Sequence, residues 1–378
     1  SRLFNAAERI WSDIVDRKLY ITGAVGALPV GISKRGFKVW EAFGREYHLP
    51  HRTAYNETCA NITWGMFCRS MFMVTGQAKY ADEMERLIYN AGISGISTAG
   101  DAFNYANPLR WYNNWDTRGE SFGTMRHFSH ERWQIHTCYC CPPQVFRLAV
   151  QLNEWAYYTS NRTLTIGLYG SGRVSAKIPG IGDVHLIQET DYPWDGTVKL
   201  TVEMAPDKEF SLALRIPNWA VGASIEVNGK KNDTSFPEPG TIAPLSRIWR
   251  KGDIVKLKFP MRVRLVSAHP KVEECRGQAA IMRGPIVFCA ESADLMDGVS
   301  LEDISICRDF QPSEKFNPKL LGGVVTITGR GQVNKESKYS LYREDNRDNT
   351  NLIDVTLIPY FAWKNRGLTD MTVWLPIV

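Results

Sequence analysis

The sequence predicts a mixed fold, in which a helical part over residues 1–155 precedes all-β sandwich modules over 156–290 and 291–378, the last either a second sandwich or a continuation of the first. Three observations carry this reading. Apolar residues recur at spacings of three and four in the first part, short alternating segments replace them after Tyr157, and an Asn228-Gly229 pair sits between strand-like runs. With 378 residues, 44% of them apolar, the chain can fill one large core or two to three smaller ones at roughly 100 to 200 residues per domain.

The first helix is marked by Leu3, Phe4, Ala7, Ile10, Trp11, Ile14 and Val15 on one face. Tyr20 to Gly31 is rich in glycine but has no Gly-Lys-Ser/Thr ending, so it reads as a tight connection and not as a phosphate cradle. Asn56 is expected to cap a second helix running to about Met73. A third spans Ala78 to Ala91, with Ala81, Met84, Leu87, Ile88 and Ala91 aligned and Gly92 as its stop. Pro142 and Pro143 announce a fourth, continued by Val145, Phe146, Leu148, Ala149 and Leu152, so Cys140 and Cys141 fall at a helix N-terminus. Four helices with such long joins make a poor closed core, which leads us to expect that part of the helical domain lies upstream.

Strands are expected at Leu164 to Leu168, Val198 to Val202, Ser211 to Ile216, Ile254 to Phe259, Gly323 to Thr328 and Met371 to Pro376. Asn228-Gly229 after Ile225-Glu226-Val227 is a two-residue hairpin signal.

Charged residues make up 22% of the chain and the net charge is +5, too even a balance to point to a nucleic-acid partner. No apolar run approaches the ~20 residues of a membrane-spanning helix, so no membrane association is expected. The chain opens Ser1-Arg2-Leu3-Phe4 with neither Met nor a basic-then-apolar signal sequence, so a biological N-terminus further upstream is an expectation, and the compartment, cytoplasm or periplasm, stays unread. Oligomeric state is open, a homodimer included.

Of eight cysteines, three fall within Cys138-Tyr139-Cys140-Cys141, and adjacent cysteines rarely serve two bridges without strain. A second cluster is Tyr55-Asn56-Glu57-Thr58-Cys59-Ala60. Both lie at helix starts, where free amide donors favour a thiolate. In a regular helix Glu57 and Cys59 point about 200° apart, but they converge if Glu57 lies in the preceding turn. Glu57, Cys59, Cys140 and Cys141 would then supply four tetrahedral ligands to Zn²⁺. Two other readings stay open on spacing alone: the thiols are small buried hydrophobes, or His127, His130 or His136 binds metal with Cys138.

The runs Trp40-Glu41-Ala42-Phe43, Tyr47-His48-Leu49-Pro50 and Ala54-Tyr55-Asn56-Glu57-Thr58-Cys59-Ala60 resemble the central signature of glycoside hydrolase family 127, the bacterial β-L-arabinofuranosidases. Further matches are Glu85 to Ala91, Tyr105-Ala106-Asn107-Pro108-Leu109, Cys140-Cys141-Pro142-Pro143 with Arg147, Leu214 to Trp219, Arg283-Gly284-Pro285, Ile358-Pro359-Tyr360 and Asn365-Arg366-Gly367, so nearly the whole chain is covered. The resemblance implies an (α/α)6 helical barrel, here lacking its first half, followed by β-sandwich modules. It implies a retaining exo-glycosidase that releases terminal β-L-arabinofuranosyl or related furanosyl units from plant glycans. Cys140 would be the nucleophile, Glu41 the acid/base, and Glu57, Cys59, Cys140 and Cys141 the zinc ligands. Tyr105 matches a tyrosine near the family's sugar pocket.

The alternative for Glu41 is an exposed or salt-bridged carboxylate beside Arg45 or Lys38, which its place in the matched run makes the weaker reading, and Trp111 and Trp115 read as core residues more readily than as sugar platforms. Gly44 to Arg52 is more basic than the arabinofuranosidase pattern, and Gln144 stands where the family usually has Asn. If Arg45, His48, His51 or Arg52 lined the pocket, the sugar could be an acidic branched pectic unit, since Arg binds carboxylates through paired donors; a solvated loop is the plainer reading. A third reading is a non-catalytic carbohydrate-binding protein with structural zinc.

Overall fold

A computed structural model describes residues 1–113, 131–134, 139–231, 237–334, 341–342 and 350–378. Trp115, His127, His130, His136 and Cys138 lie outside the described residues. The chain is mixed, with helices first and β-sheets after Tyr157. Among the described residues no helix is long and apolar enough to cross a membrane.

Helix α1 spans Arg2–Arg17, with Ser1 Oγ accepting from the Phe4 amide at 3.3 Å and Arg17 in its negative last turn. Helix α2, Thr58–Thr75, ends at Gly76, whose φ of 65° closes the helix through a bond to the Phe72 carbonyl. Helix α3 is Ala78–Leu87 and helix α4 is Cys141–Ala156. Trp11, Ile62, Trp64, Met71, Phe72, Met84, Leu148 and Trp155 share one apolar core among the four. A Cβ on Gly65 would come within 2.3 Å of Leu87 Cδ2 and 2.9 Å of the Trp155 ring, so only glycine lets α2 approach both neighbours.

Two helical expectations are corrected. Asn56 does not cap α2: Glu57 occupies that position, and Asn56 is held with φ at 41°. The third helix does not continue regularly to Ala91 but passes at Ile88 into a π-turn, Ile88–Gly92. The reason is Asn90, whose Nδ2 donates to the Arg86 and Pro285 carbonyls at 2.7 and 2.9 Å and whose Oδ1 accepts from the Val287 amide at 2.7 Å. A side chain inserted between the helix and a distant strand widens the turn.

A six-stranded sheet and a four-stranded sheet follow, packed on Leu164, Leu186, Val198, Leu212, Trp249 and Leu257. Thr197–Met204 alternates buried and half-buried positions, as expected of a strand with one face turned to the core. Asn228 and Gly229, with φ of 53° and 77°, form the turn between Ser224–Val227 and Lys230–Lys231, the conformation a tight hairpin requires. A ten-stranded sheet completes the chain, and its strand Ile286–Glu291 runs through residue 290. The change of sheet therefore falls between Ile254–Lys258 and Val263–Val266. Arg110–Trp111 pairs with Met371–Thr372, so a strand from the helical part belongs to this last sheet, and Trp111 is core at 1% exposure.

Arg215 joins the helical part to the middle sheets. Fully buried, it donates to Asp82 Oδ1 at 2.6 Å, to Glu85 Oε1 and to the Gly167 carbonyl. Trp219 Nε1 donates to Glu85 Oε2 at 3.0 Å, which shares out the charge.

Candidate active site

The site is built on the glycine-rich connection. Gly23 and Gly26 have φ of 75° and 82°, and a Cβ on Gly23 would lie 2.9 Å from the Leu87 amide nitrogen. The connection leads into a hairpin, Leu28–Ile32 with Lys38–Ala42, that carries Glu41 near its end. It also receives the incoming turn, since the amides of Tyr55 and Asn56 donate to the Ala27 and Gly26 carbonyls at 3.2 and 2.9 Å. Glu41 and Asn56 both have left-handed backbones, which non-glycine residues keep only where the surroundings over-determine them.

Glu57 has φ −57° and ψ 135°, outside the helix that begins at Thr58. That break lets its carboxylate meet Cys59, one turn-start further on, as the spacing required. The α4 N-terminus brings Cys140 and Cys141 to the same point, and donor atoms of Glu57, Cys59, Cys140 and Cys141 all lie within 4.8 Å of one another. Cys59 Sγ is 3.6 Å from Cys141 Sγ, Cys140 Sγ is 3.8 Å from Cys141 Sγ, and Glu57 Oε1 is 3.6 and 3.9 Å from the sulfurs of Cys140 and Cys141. Tetrahedral zinc, with bonds of about 2.3 Å to sulfur and about 2.0 Å to oxygen, demands donor separations of about 3.5 to 3.8 Å. Separations of 3.6 to 3.9 Å come close to this, so the donor set could hold a four-coordinate divalent cation.

Without a cation these groups repel ionisation. The hydrogen bond with Cys141 and then burial push the Cys59 thiol far up; burial and the neighbouring Glu41 charge raise Glu57. Cys141 is also raised, burial with Cys140 and Glu57 outweighing the opposing bond from Cys59. A bound cation would reverse these shifts by supplying the missing positive charge. Exposure differs across the set: Glu57 and Cys141 are buried, Cys59 half-buried and Cys140 exposed.

Tyr105 links the cluster to Glu41, its hydroxyl donating to Glu41 Oε1 at 3.1 Å. The Tyr105 ring packs against Tyr55, at 5.7 Å between centroids, and with Cys141. Glu41 itself is exposed on the hairpin. Sequence reasoning missed Tyr55, whose only signal was its place beside the Glu57 turn.

The basic segment behaves differently. His51 does not line this site: it is buried, its ring stacked on Trp374 at 5.8 Å and its Nε2 3.1 Å from Cys275 Sγ. Tyr47 stacks on His269 at 4.7 Å, so the segment runs toward the last β unit. Burial first, and then the Arg110 charge, hold His51 down to about 3. Because an unfolded histidine titrates near ~6.5, the unfolded chain binds the extra proton between these values. His51 therefore contributes full stability above about pH 6.5 and loses it at about 1.4 kcal/mol per pH unit as pH falls toward 3. Urea midpoints of His51→Gln and the parent chain, measured from pH 7 to pH 4, should show a flatter dependence in the variant; parallel curves would rule this out.

Comparison with known proteins completes the picture. The model of the "Beta-L-arabinofuranosidase, GH127 catalytic domain" matches residues 1–154, that of the GH127 middle domain residues 163–261, and that of the family 127 C-terminal domain residues 263–376. The chain belongs to glycoside hydrolase family 127. A non-reducing end β-L-arabinofuranosidase of Bifidobacterium longum subsp. longum is 30% identical over 390 residues, covering 98% of this chain and 55% of its own. The crystal structure of a family 127 β-L-arabinofuranosidase from Geobacillus stearothermophilus T6 superposes with a TM-score of 0.88 at 39% identity, over 100% of this chain and 57% of that one. A structure described as a glycoside hydrolase gives 0.90 at 39% identity, over 97% and 61%. The chain thus spans a little over half the length of these family 127 relatives.

Proposed function

We propose that the chain is the zinc-binding part of a retaining exo-glycosidase that releases terminal β-L-arabinofuranosyl or closely related furanosyl units from plant-derived glycans. The observation that carries this is the donor cluster of Glu57, Cys59, Cys140 and Cys141, with Tyr105 tying Glu41 to its edge. The four helices among the described residues would form part of an (α/α)6 barrel, the remainder being supplied by sequence of the length that the relatives possess. Beside Cys141 opens a cavity of about 340 Å³ lined by Phe103, Asn104, Tyr105, Trp133 and Phe146, large enough to admit one sugar unit.

Bound Zn²⁺ would keep the cysteine sulfurs deprotonated at neutral pH. Cys140 is the most open of the three, and it attacks the anomeric carbon as the glycosidic C–O bond breaks, forming a glycosyl thioether. Glu41 gives its proton to the departing oxygen. In the second step Glu41 takes a proton from water, water displaces sulfur, and the Cys140 thiolate returns. Tyr105 occupies one Glu41 oxygen and leaves the other to face the sugar.

Four protein ligands are the arrangement of a structural zinc site; what favours catalysis is that the Cys140 sulfur is exposed and so within reach of a sugar. Burial of His51 takes one cation away from the acidic-sugar reading.

The chain is expected to bind one Zn²⁺ and to release protons as it does so, with affinity falling as pH drops, since Cys59, Cys141 and Glu57 hold their protons more tightly when no cation offsets their charge. Calorimetry in buffers of different ionisation enthalpy measures both quantities. X-ray absorption should give about three sulfurs near 2.3 Å; a shell of nitrogen and oxygen only would overturn the ligand set.

A further inference from the structure

We infer that Asn107 is a positioning residue for the metal cluster, setting the Asn56–Glu57–Thr58 turn that aims Glu57 at the sulfurs. The inference rests on the zinc reading above.

Glu57 reaches the cluster because the backbone bends sharply before α2, and that bend is strained. Asn56 has φ at 41°, and its buried Oδ1 has no hydrogen-bond partner among the described residues. Such a conformation persists only if its neighbours fix it. Asn107, fully buried, does so from both ends of the turn: its Nδ2 donates to the Asn56 carbonyl and to Thr58 Oγ1, each at 3.0 Å. Its own Oδ1 accepts from Ser94 Oγ at 2.9 Å, which fixes the amide's orientation. Thr58 Oγ1 donates to the Asn104 carbonyl at 2.8 Å, so its lone pair faces Asn107. The two bonds bracket Glu57 on either side without touching its carboxylate.

The network extends into the last β unit. Tyr360 Oη lies 3.1 Å from the carbonyl oxygens of both Asn107 and Pro108, and Tyr360 is fully buried. The last β unit thereby backs the metal turn through Tyr360, although among the described residues it contributes no donor to the cluster. Groups that orient metal ligands commonly change affinity by roughly 10- to 100-fold when removed.

The test measures Zn²⁺ affinity of the full chain by chelator competition, and the unfolding midpoint of the metal-free chain, for Asn107→Ala, Thr58→Val and Thr58→Ser. Asn107→Ala should weaken zinc binding by roughly 10- to 100-fold. Thr58→Val should weaken it by less, and Thr58→Ser, which keeps the hydroxyl, should restore it. The absorption of Co²⁺ bound in place of zinc should change shape in Asn107→Ala. If Asn107→Ala does not fold, the Thr58 pair decides. Unchanged affinity and Co²⁺ spectra in Asn107→Ala and Thr58→Val, with only a lower metal-free midpoint, would reduce the network to structural support and overturn the inference. A parent chain that binds no zinc overturns the functional reading instead, and the positioning role falls with it.

Discussion

Glu41→Gln is expected to lower kcat/KM on natural glycans by roughly 10² to 10⁴-fold, the usual contribution of a positioned acid/base, and Cys140→Ser to lower it further. These variants belong in a polypeptide of the full length seen in the family 127 relatives, because this chain covers 55% of the curated one. The two losses should differ in kind. Glu41 lies outside the donor cluster, so Glu41→Gln should keep the metal, whereas Cys140→Ser should remove the proposed ligand and the proposed nucleophile together. An aryl glycoside, whose leaving group departs without protonation, should recover the first step in Glu41→Gln. The glycosyl-enzyme then accumulates, because no carboxylate remains to activate water, and intact mass measures its added pentose. Substantial hydrolysis by both variants would remove Cys140 and Glu41 from the chemistry.

Arg215→Met is expected to destabilise the chain by about 3 to 5 kcal/mol, the usual cost of leaving buried charge without its partner. Asp82 and Glu85 would remain at 6% and 1% exposure with no cation between them. The loss should be largely recovered when Asp82→Asn and Glu85→Gln are added, because neutral amides avoid the stranded charge. Denaturant unfolding followed by tryptophan fluorescence reads the effect well, since Trp219 itself donates to Glu85. A loss below about 1 kcal/mol would mean that the network does not couple α3 to the middle sheets, as in exposed ion pairs.

The residues of the donor cluster were legible because each signal is local. Pro142 and Pro143 mark a helix start, which puts two thiols at free amides, and Glu57 needed only a non-helical backbone to join Cys59. The family signature added roles to those positions. By contrast, nothing near Asn56 in sequence shows that Asn107 holds its carbonyl, and nothing near Asn90 shows Pro285 and Val287.

The basic run around His51 teaches the same lesson from the opposite direction. Its charge pattern read most plainly as a solvated loop, with a pocket lining as the alternative, yet the His51 ring is buried beside Cys275, 224 positions later in the chain.

The sequence by itself determined the order of helices and strands, the hairpin at Asn228-Gly229 and the residue types available to grip a cation, because periodicity, turn chemistry and helix-end electrostatics act over a few residues. Tertiary structure alone decided that Ile286–Glu291 carries the sheet through residue 290, that Arg110–Trp111 joins Met371–Thr372, and that Asn107 and Tyr360 buttress the Glu57 turn. Those outcomes depend on pairings between segments far apart in the chain, where each buried polar group settles on whichever distant partner can satisfy it.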